Sequence, residues 1–431
     1  MLAGAHSSFA QPGAGPVSDT AKTAKPSFEN WFIPKTLRVD YLVAGDATTE
    51  MVFFSQMKQE PFWGGSRNNL TDPFNYGTYR YCAYDSATGQ LLYSRGFSSL
   101  FQEWKGTAEA KTMKRALPMT AVMPFPLKTI RFVIEKRDFE TNEFVMLFER
   151  FIHPGDYFIN RERPQPLKHT VIRETGDPAV RVDVVFIAEG YTSTEMEKFV
   201  EDARKMSAYF LDMEPYREFR DRFNFYAVEA PSPESGVDIP GTGIYKNTNI
   251  NSTFYTFNMD RYLTTFDTRA IYDLAATVPY DAVFVLVNSA QYGGGGFYNH
   301  YGQGTVDHPL SKIVALHEFG HSFAGLADEY YDAEITYSDL YNLRFEPWEP
   351  NITTRVNFGS KWEQLVTPGI PLPTLREEQY RDDVGLFEGG GYLAKGIFSP
   401  MMDCRMKTNE APAFCPVCKG AIRKMIRFYT E

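Results

Sequence analysis

Leu310–Asp332 reads LSKIVALHEFGHSFAGLADEYYD. Apolar residues recur through its first half at helical spacing, and Pro309 suits an early helical turn. Asp307 or Ser311 is the expected N-cap. Residues four apart on a helix point within about 40° of each other, so His317 and His321 share one face, one turn apart. Two imidazoles so placed can hold one metal ion. Glu318 lies beside that face, where a carboxylate can hold and deprotonate a coordinated water rather than bind the metal. The plain alternative is a helix with two buried, hydrogen-bonded histidines. The chain has only seven His, and two of them make this pair. The pair also follows an apolar strand, the context such a motif requires.

A zinc centre that keeps one position open needs a third protein ligand. A straight helix would carry Asp328 about 16 Å past His317. Gly325 can adopt positive φ and end the helix, which lets the chain swing back. Asp328 then becomes reachable, with its neighbour Glu329 as competitor. His308, nearly three turns before His317, is the weaker alternative.

Working outward, VRVDVVFIAEGYT (Val180–Thr192) is a nearly continuous apolar strand, followed by caps for a helix through EMEKFVEDARKMSAYF. FNFYAVEA and DAVFVLVNSA are further strands, and DRYLTTFDTRAIYDLAATV has helical period. Strand–helix–strand order predicts an α/β region over 176–431, with strands buried on both faces. The first strand and its turn lack G-x-G-x-x-G, which argues against a dinucleotide site. Residues 28–160 differ. LRVDYLVAG, TYRYCAYDSATGQLLYSRGF, KTIRFVIEKRD and NEFVMLFERFI are short strands, and DSATGQ offers a hairpin turn. They predict an all-β sandwich, joined by a linker over 161–175. Residues 1–27 read as a flexible lead-in, with MLAGAHSSFA as the stub of a secretion signal.

Asp+Glu outnumber Lys+Arg by 54 to 44, a net charge of -10, which disfavours nucleic acid and anionic membranes as non-specific partners. No apolar run is long enough to span a bilayer. The Gly-rich stretch VLVNSAQYGGGGFYNHYGQG is not a P-loop, because no GK[ST] follows. Four consecutive glycines, 293–296, cannot form a stable helix and expose the backbone, so the plain reading is a surface loop. Tyr330 and Tyr331 follow the acidic pair and can either assist the chemistry or pack the turn.

HEFGHSFAGLADEYYD resembles the active-site segment of the M64 peptidase family, whose founding members are described as IgA-cleaving metallopeptidases. The resemblance implies a metzincin-like α/β zinc peptidase domain, in which His317, His321 and Asp328 bind Zn2+ and Glu318 is the general base; in that architecture the Gly-rich stretch runs toward the active-site edge strand, with Tyr292 and Tyr298 as wall residues. The chain departs from the wider H-E-x-x-H-x-x-G-x-x-H pattern: Ala324 and Gly325 stand where one glycine is usual, and the third ligand is Asp. FSPMMDCRMKTNEAPAFCPVCKGAIRKMIRFY resembles the Met-turn and closing helix of that family, with Met406 as the Met and Met402 as its alternative. Cys415-Pro-Val-Cys418 can be half of a zinc site, a redox motif or a disulfide site; the plainest reading is a bridge from Cys404 to Cys415 or Cys418, fastening that helix in an oxidising compartment. A secreted, periplasmic or cell-surface location follows, with protein or peptide as substrate and glycan or cell-surface contact open to the N-terminal domain. The rival readings are a non-catalytic surface-binding protein and another zinc amide hydrolase.

Overall fold

The computed structural model describes residues 25–163, 165–331 and 340–431. The lead-in up to residue 24, including the signal-like stub, lies outside the described residues, as does Asp332.

Alternating burial builds the N-terminal region. After a single helical turn, α1 (Phe28–Trp31), come β1 (Phe32–Gly45), β2 (Glu50–Glu60), β3 (Tyr79–Asp85), β4 (Leu91–Phe97) and the short helix α2 (Leu100–Lys105). Then follow β5 (Arg115–Pro126), β6 (Ile130–Arg137), β7 (Phe144–Ile152) and the two-residue β8 (Ile159–Asn160). They form two four-stranded sheets, ordered β5-β1-β2-β8 and β4-β3-β6-β7. Every pairing is antiparallel except β2 with β8. Leu37, Val39 and Tyr41 from the first sheet and Tyr81, Phe132 and Ile134 from the second lie in one core. The predicted hairpin is present: Asp85 accepts from the Thr88 hydroxyl and Gly89 takes φ 72° at the turn.

The second region holds β9 (His169–Arg173), β10 (Val182–Glu189), α3 (Met196–Asp212), β11 (Phe223–Val228), α4 (Thr268–Ala275) and β12 (Ala282–Val287). β13 (Gly294–Phe297), β14 (Tyr301–Thr305) and α5 (Ser311–Ala324) lead to a hairpin, β15 (Phe387–Gly390) and β16 (Leu393–Ser399), and a closing helix α6 (Pro416–Thr430). One six-stranded sheet runs β13-β14-β12-β10-β11-β9, parallel at its centre and antiparallel at both edges. Every residue of β10 is buried, as an apolar run in a parallel sheet demands. Its even-numbered side chains, Val184 and Phe186 among them, pack with α3, α5 and α6. Its odd-numbered Val185 and Ile187 join the core of the N-terminal sheets. The two regions are therefore continuous through the central sheet.

Three expectations differ from what forms. His169–Arg173, read as linker, is an edge strand of the six-stranded sheet, paired with β11. Half-buried Thr170 and Ile172 alternate with exposed His169 and Val171, too short a pattern to separate from a connector. The helix expected from Asp260 begins only at Thr268, capped by Asp267. The preceding residues are drawn into pairing instead: the Leu263 N–H donates to the Gly294 carbonyl at 3.2 Å, and Thr264 bonds Thr253. Neither Asp307 nor Ser311 caps α5; Leu310 holds the cap position without a side-chain bond, and the Ser311 hydroxyl is buried without a partner.

Candidate metal centre

α5 carries the predicted pair, and Gly325 ends it in the left-handed region at φ 64°. The Gly325 and Leu326 N–H groups close back onto the His321 and Gly320 carbonyls. Trp348 and Tyr298 sit where a Cβ on Gly325 would go, at 3.0 and 3.1 Å, so the turn is both left-handed and tightly packed. The chain then runs back along the helix, held by Asn351, whose side-chain amide bonds both the N–H and the carbonyl of Ala327. This return delivers Asp328.

Three ligand atoms meet. His317 Nε2 and His321 Nε2 are 3.0 Å apart, and Asp328 Oδ1 lies 3.0 and 3.3 Å from them. The other nitrogen of each ring faces a carbonyl: His317 Nδ1 is 3.0 Å from the Arg405 carbonyl and His321 Nδ1 is 2.6 Å from that of Leu326. A proton on each Nδ1 satisfies those carbonyls and turns both Nε2 lone pairs toward Asp328. Three acceptors then point at one another, which a cation between them resolves. The Tyr392 hydroxyl donates to Asp328 Oδ2, leaving Oδ1 for that cation. Burial works to raise Asp328, but His321 and His317 outweigh it and hold its carboxyl well below the usual range. Burial would lower His321, yet Asp328 and Glu318 together push it up to about 9. The field that binds a proton there also favours a metal ion.

Glu318 is partly exposed to the cleft. Desolvation pushes its carboxyl up, the two histidines pull it down, and Asp328 adds to the rise. Its place is cut out by the glycine run, of which Gly294, Gly295 and Gly296 lie in β13 and Gly293 directly precedes it. A Cβ on Gly294 would lie 2.7 Å from Glu318 Cγ, and one on Gly296 would lie 2.4 Å from the Glu318 carbonyl oxygen. The glycines let the sheet edge press against α5 without side chains between them. Gly296→Ala is expected to push strand and helix apart, costing about 1–3 kcal/mol as overpacking does. Stability to urea and metal affinity, measured together, should both weaken; an unchanged pair would show that the contact yields freely.

Met406 is fully buried with its sulfur where a Cβ on Gly320 would be, at 2.8 Å, beneath the histidine helix. Met402 is only half-buried. Among the described residues the metal-competent group at this place is His317, His321 and Asp328. Glu329 points the other way, into a cluster with Cys404, Cys415 and Cys418. His308 is absent from both groups; its Nδ1 accepts from the Leu310 N–H. The expected Cys404 bridge is not formed, and all four cysteines are free. Cys82 lies apart on β3, beside Glu135.

The histidines open on a cleft of about 470 Å³. Tyr292, Tyr298 and Tyr330 line it, as does Tyr392, while Tyr331 is outside it. Its other wall comes from the N-terminal region: Ser98, Gln102, Glu103 and Arg137. That wall is fastened beside the site, since Ser98 and Tyr298 exchange two hydrogen bonds and Asn299 donates to the Gly96 carbonyl. Burial pushes the Glu103 carboxyl up to about 7, although the Tyr262 hydroxyl donates to it. Sequence reading missed Glu103, Tyr392 and Asn351, because no local pattern marks a side chain that reaches the site from another part of the chain.

Two histidines and a carboxylate converging beside a free glutamate, at the floor of a cleft, define a candidate metal-dependent hydrolase centre. A family model described as IgA Peptidase M64 matches residues 170–375 and 374–426, and one described as Peptidase M64 N-terminus matches residues 27–149. The chain belongs to the M64 peptidase family, with both the N-terminal β-rich region and the α/β region accounted for. No curated relative matches the chain.

Proposed function

We propose that the protein is a zinc-dependent endopeptidase with a metzincin-like catalytic domain and a β-sandwich accessory domain. The observation that carries this is the convergence of His317 Nε2, His321 Nε2 and Asp328 Oδ1 within 3.3 Å of one another. Ligands about 2.0–2.1 Å from one tetrahedral zinc stand about 3.3–3.4 Å apart, so a small opening-out suffices. A bound zinc would lower the pKa of a coordinated water and polarise the scissile carbonyl.

The chain's own residues do the rest. Glu318 takes the proton of the attacking water and passes it to the departing amine. The carbonyls of Arg405 and Leu326 fix both imidazole rings, and Tyr392 fixes the carboxylate. The cleft between the two regions takes a peptide. Leu263 already occupies the sheet edge at Gly294, so backbone pairing with substrate falls to the part of β13 beyond it. Glu103 and Arg137 give that cleft an acidic and a basic wall residue from the accessory domain.

Exposed Tyr157 and Phe158, 85% and 61% accessible, are the accessory-domain residues best placed for glycan or surface contact. Among the described residues no helix is long and apolar enough to cross a membrane. Export to the periplasm or medium is the location this reading carries, and N-terminal sequencing of protein recovered from each cell fraction tests it.

The metal and the chemistry are tested together. The unmodified chain should hold one more zinc than His317→Ala and should cleave a mixed peptide library, with loss on chelation and recovery on adding zinc. Equal metal in both chains and no cleavage would refute the proposal. In metal-free protein the Glu318 carboxyl should titrate above 4.5, because desolvation raises it, and a carboxyl-resolved NMR titration reads this. A titration at or below 4.5 would show that Glu318 is not desolvated beside the histidines.

A further inference from the structure

Some 86 residues of sequence separate Glu329 from Cys415, yet they meet in the interior with Cys404 and Cys418. All four are at most 4% exposed. Cys404 Sγ and Cys418 Sγ are 3.8 Å apart. Glu329 Oε1 lies 3.1 Å from Cys418 Sγ and 4.0 Å from Cys415 Sγ. We propose that Cys404, Cys415, Cys418 and Glu329 form a second, structural metal site, built for zinc.

The spacing suits it. Thiolates about 2.3 Å from a tetrahedral zinc stand about 3.8 Å apart, and a carboxylate oxygen about 3.5 Å from each sulfur. The local backbone suits it too. Cys415-Pro-Val-Cys418 opens α6, with Cys415 at its N-cap and the Cys418 N–H donating to Cys415 Sγ at 3.4 Å. The Cys415 N–H in turn donates to Cys404 Sγ at 3.2 Å. Such N–H groups stabilise thiolates rather than thiols. Glu329 supplies a further, independent sign: Oε2 is buried with no partner, while Oε1 accepts from Asn351. A carboxylate facing three sulfurs in the interior is costly unless a cation joins them. One disulfide would leave a cysteine and that carboxylate unmatched, whereas a metal uses all four groups. Three soft ligands and one hard one favour zinc over calcium or magnesium. Four protein ligands leave no open position, so the site stabilises and does not catalyse.

Its position gives it a second consequence, which rests on the peptidase reading. Glu329 follows Asp328 directly, and its N–H donates to the Met406 carbonyl at 2.7 Å. Cys404 precedes Arg405, whose carbonyl orients His317. The second ion would therefore clamp the turn that presents Asp328 to the loop that orients His317 and carries Met406.

The test is metal content and spectroscopy on the full chain. The unmodified protein should bind two zinc ions, and His317→Ala and Cys418→Ser one each. After cobalt replaces zinc, thiolate-to-cobalt charge-transfer absorption should be strong in the unmodified chain and in His317→Ala, and absent in Cys418→Ser. Alkylation in denaturant with chelator and no reductant should label all four cysteines. A single zinc that His317→Ala removes, or a cysteine pair that resists alkylation with the mass loss of two hydrogens, would overturn the second site while leaving the first intact. Should Cys418→Ser fail to fold, the cobalt spectrum and thiol count of the unmodified chain decide.

Discussion

Glu318→Gln should reduce kcat for peptide hydrolysis by about 10²–10⁴-fold, the range of a positioned general base. Glutamine keeps the volume and hydrogen-bonding reach of the side chain but cannot take a proton from water. It should also leave metal binding in place, because Glu318 lies beside the ligand face and does not belong to the cluster of His317, His321 and Asp328. The measurement is kcat on a peptide found by library cleavage, with zinc content determined on the same sample. A drop in activity that tracks a loss of zinc would make Glu318 a ligand or a structural residue. Nearly full activity with full metal would move the base elsewhere in the cleft, with Glu103 first in line. Its carboxyl is raised to about 7 by burial and lies near enough to His321 and Glu318 to interact with both.

Asp328→Asn should weaken zinc binding by more than about 100-fold, since disturbing even an outer-shell partner of a metal ligand costs 10–100-fold. The amide removes the negative charge between the imidazoles and offers only one acceptor, while the Tyr392 hydroxyl now faces either an acceptor oxygen or a donor NH₂. A second readout does not depend on metal at all. Asp328 is the largest factor raising His321, so in metal-free protein the His321 titration should move down from about 9. Zinc competition against a chelator and histidine titration by NMR check the two effects. An Asp328→Asn chain with unchanged zinc affinity, beside a Glu329→Gln chain that loses the same His317-dependent zinc, would assign the third ligand to Glu329 instead.

The histidine pair, the helix that carries it and the turn that follows are legible in the sequence alone. His317 and His321 share a face because of helix geometry alone, and Gly325 ends the helix because it accepts φ 64° without cost. The continuous apolar run of β10 and the alternating strands before residue 153 likewise state their sheets locally. Everything that depended on chain return needed the tertiary structure. Asp328 and Glu329 are neighbours whose opposite fates come from Asn351, Tyr392 and the Met406 carbonyl, contributed from 22 to 77 residues away. The sequence does not show why positions 294 and 296 are glycine, because the reason, the approach of α5, lies in another element. Residues 260–267 lost their helix for the same kind of reason: a backbone bond to β13 outweighed a weak periodic preference. The cysteine spacing left a bridge as the plainest reading, with a zinc site among the alternatives. Only the fold placed a buried carboxylate among three of them, and burial is what turns a spare acidic side chain into a group that must find a cation.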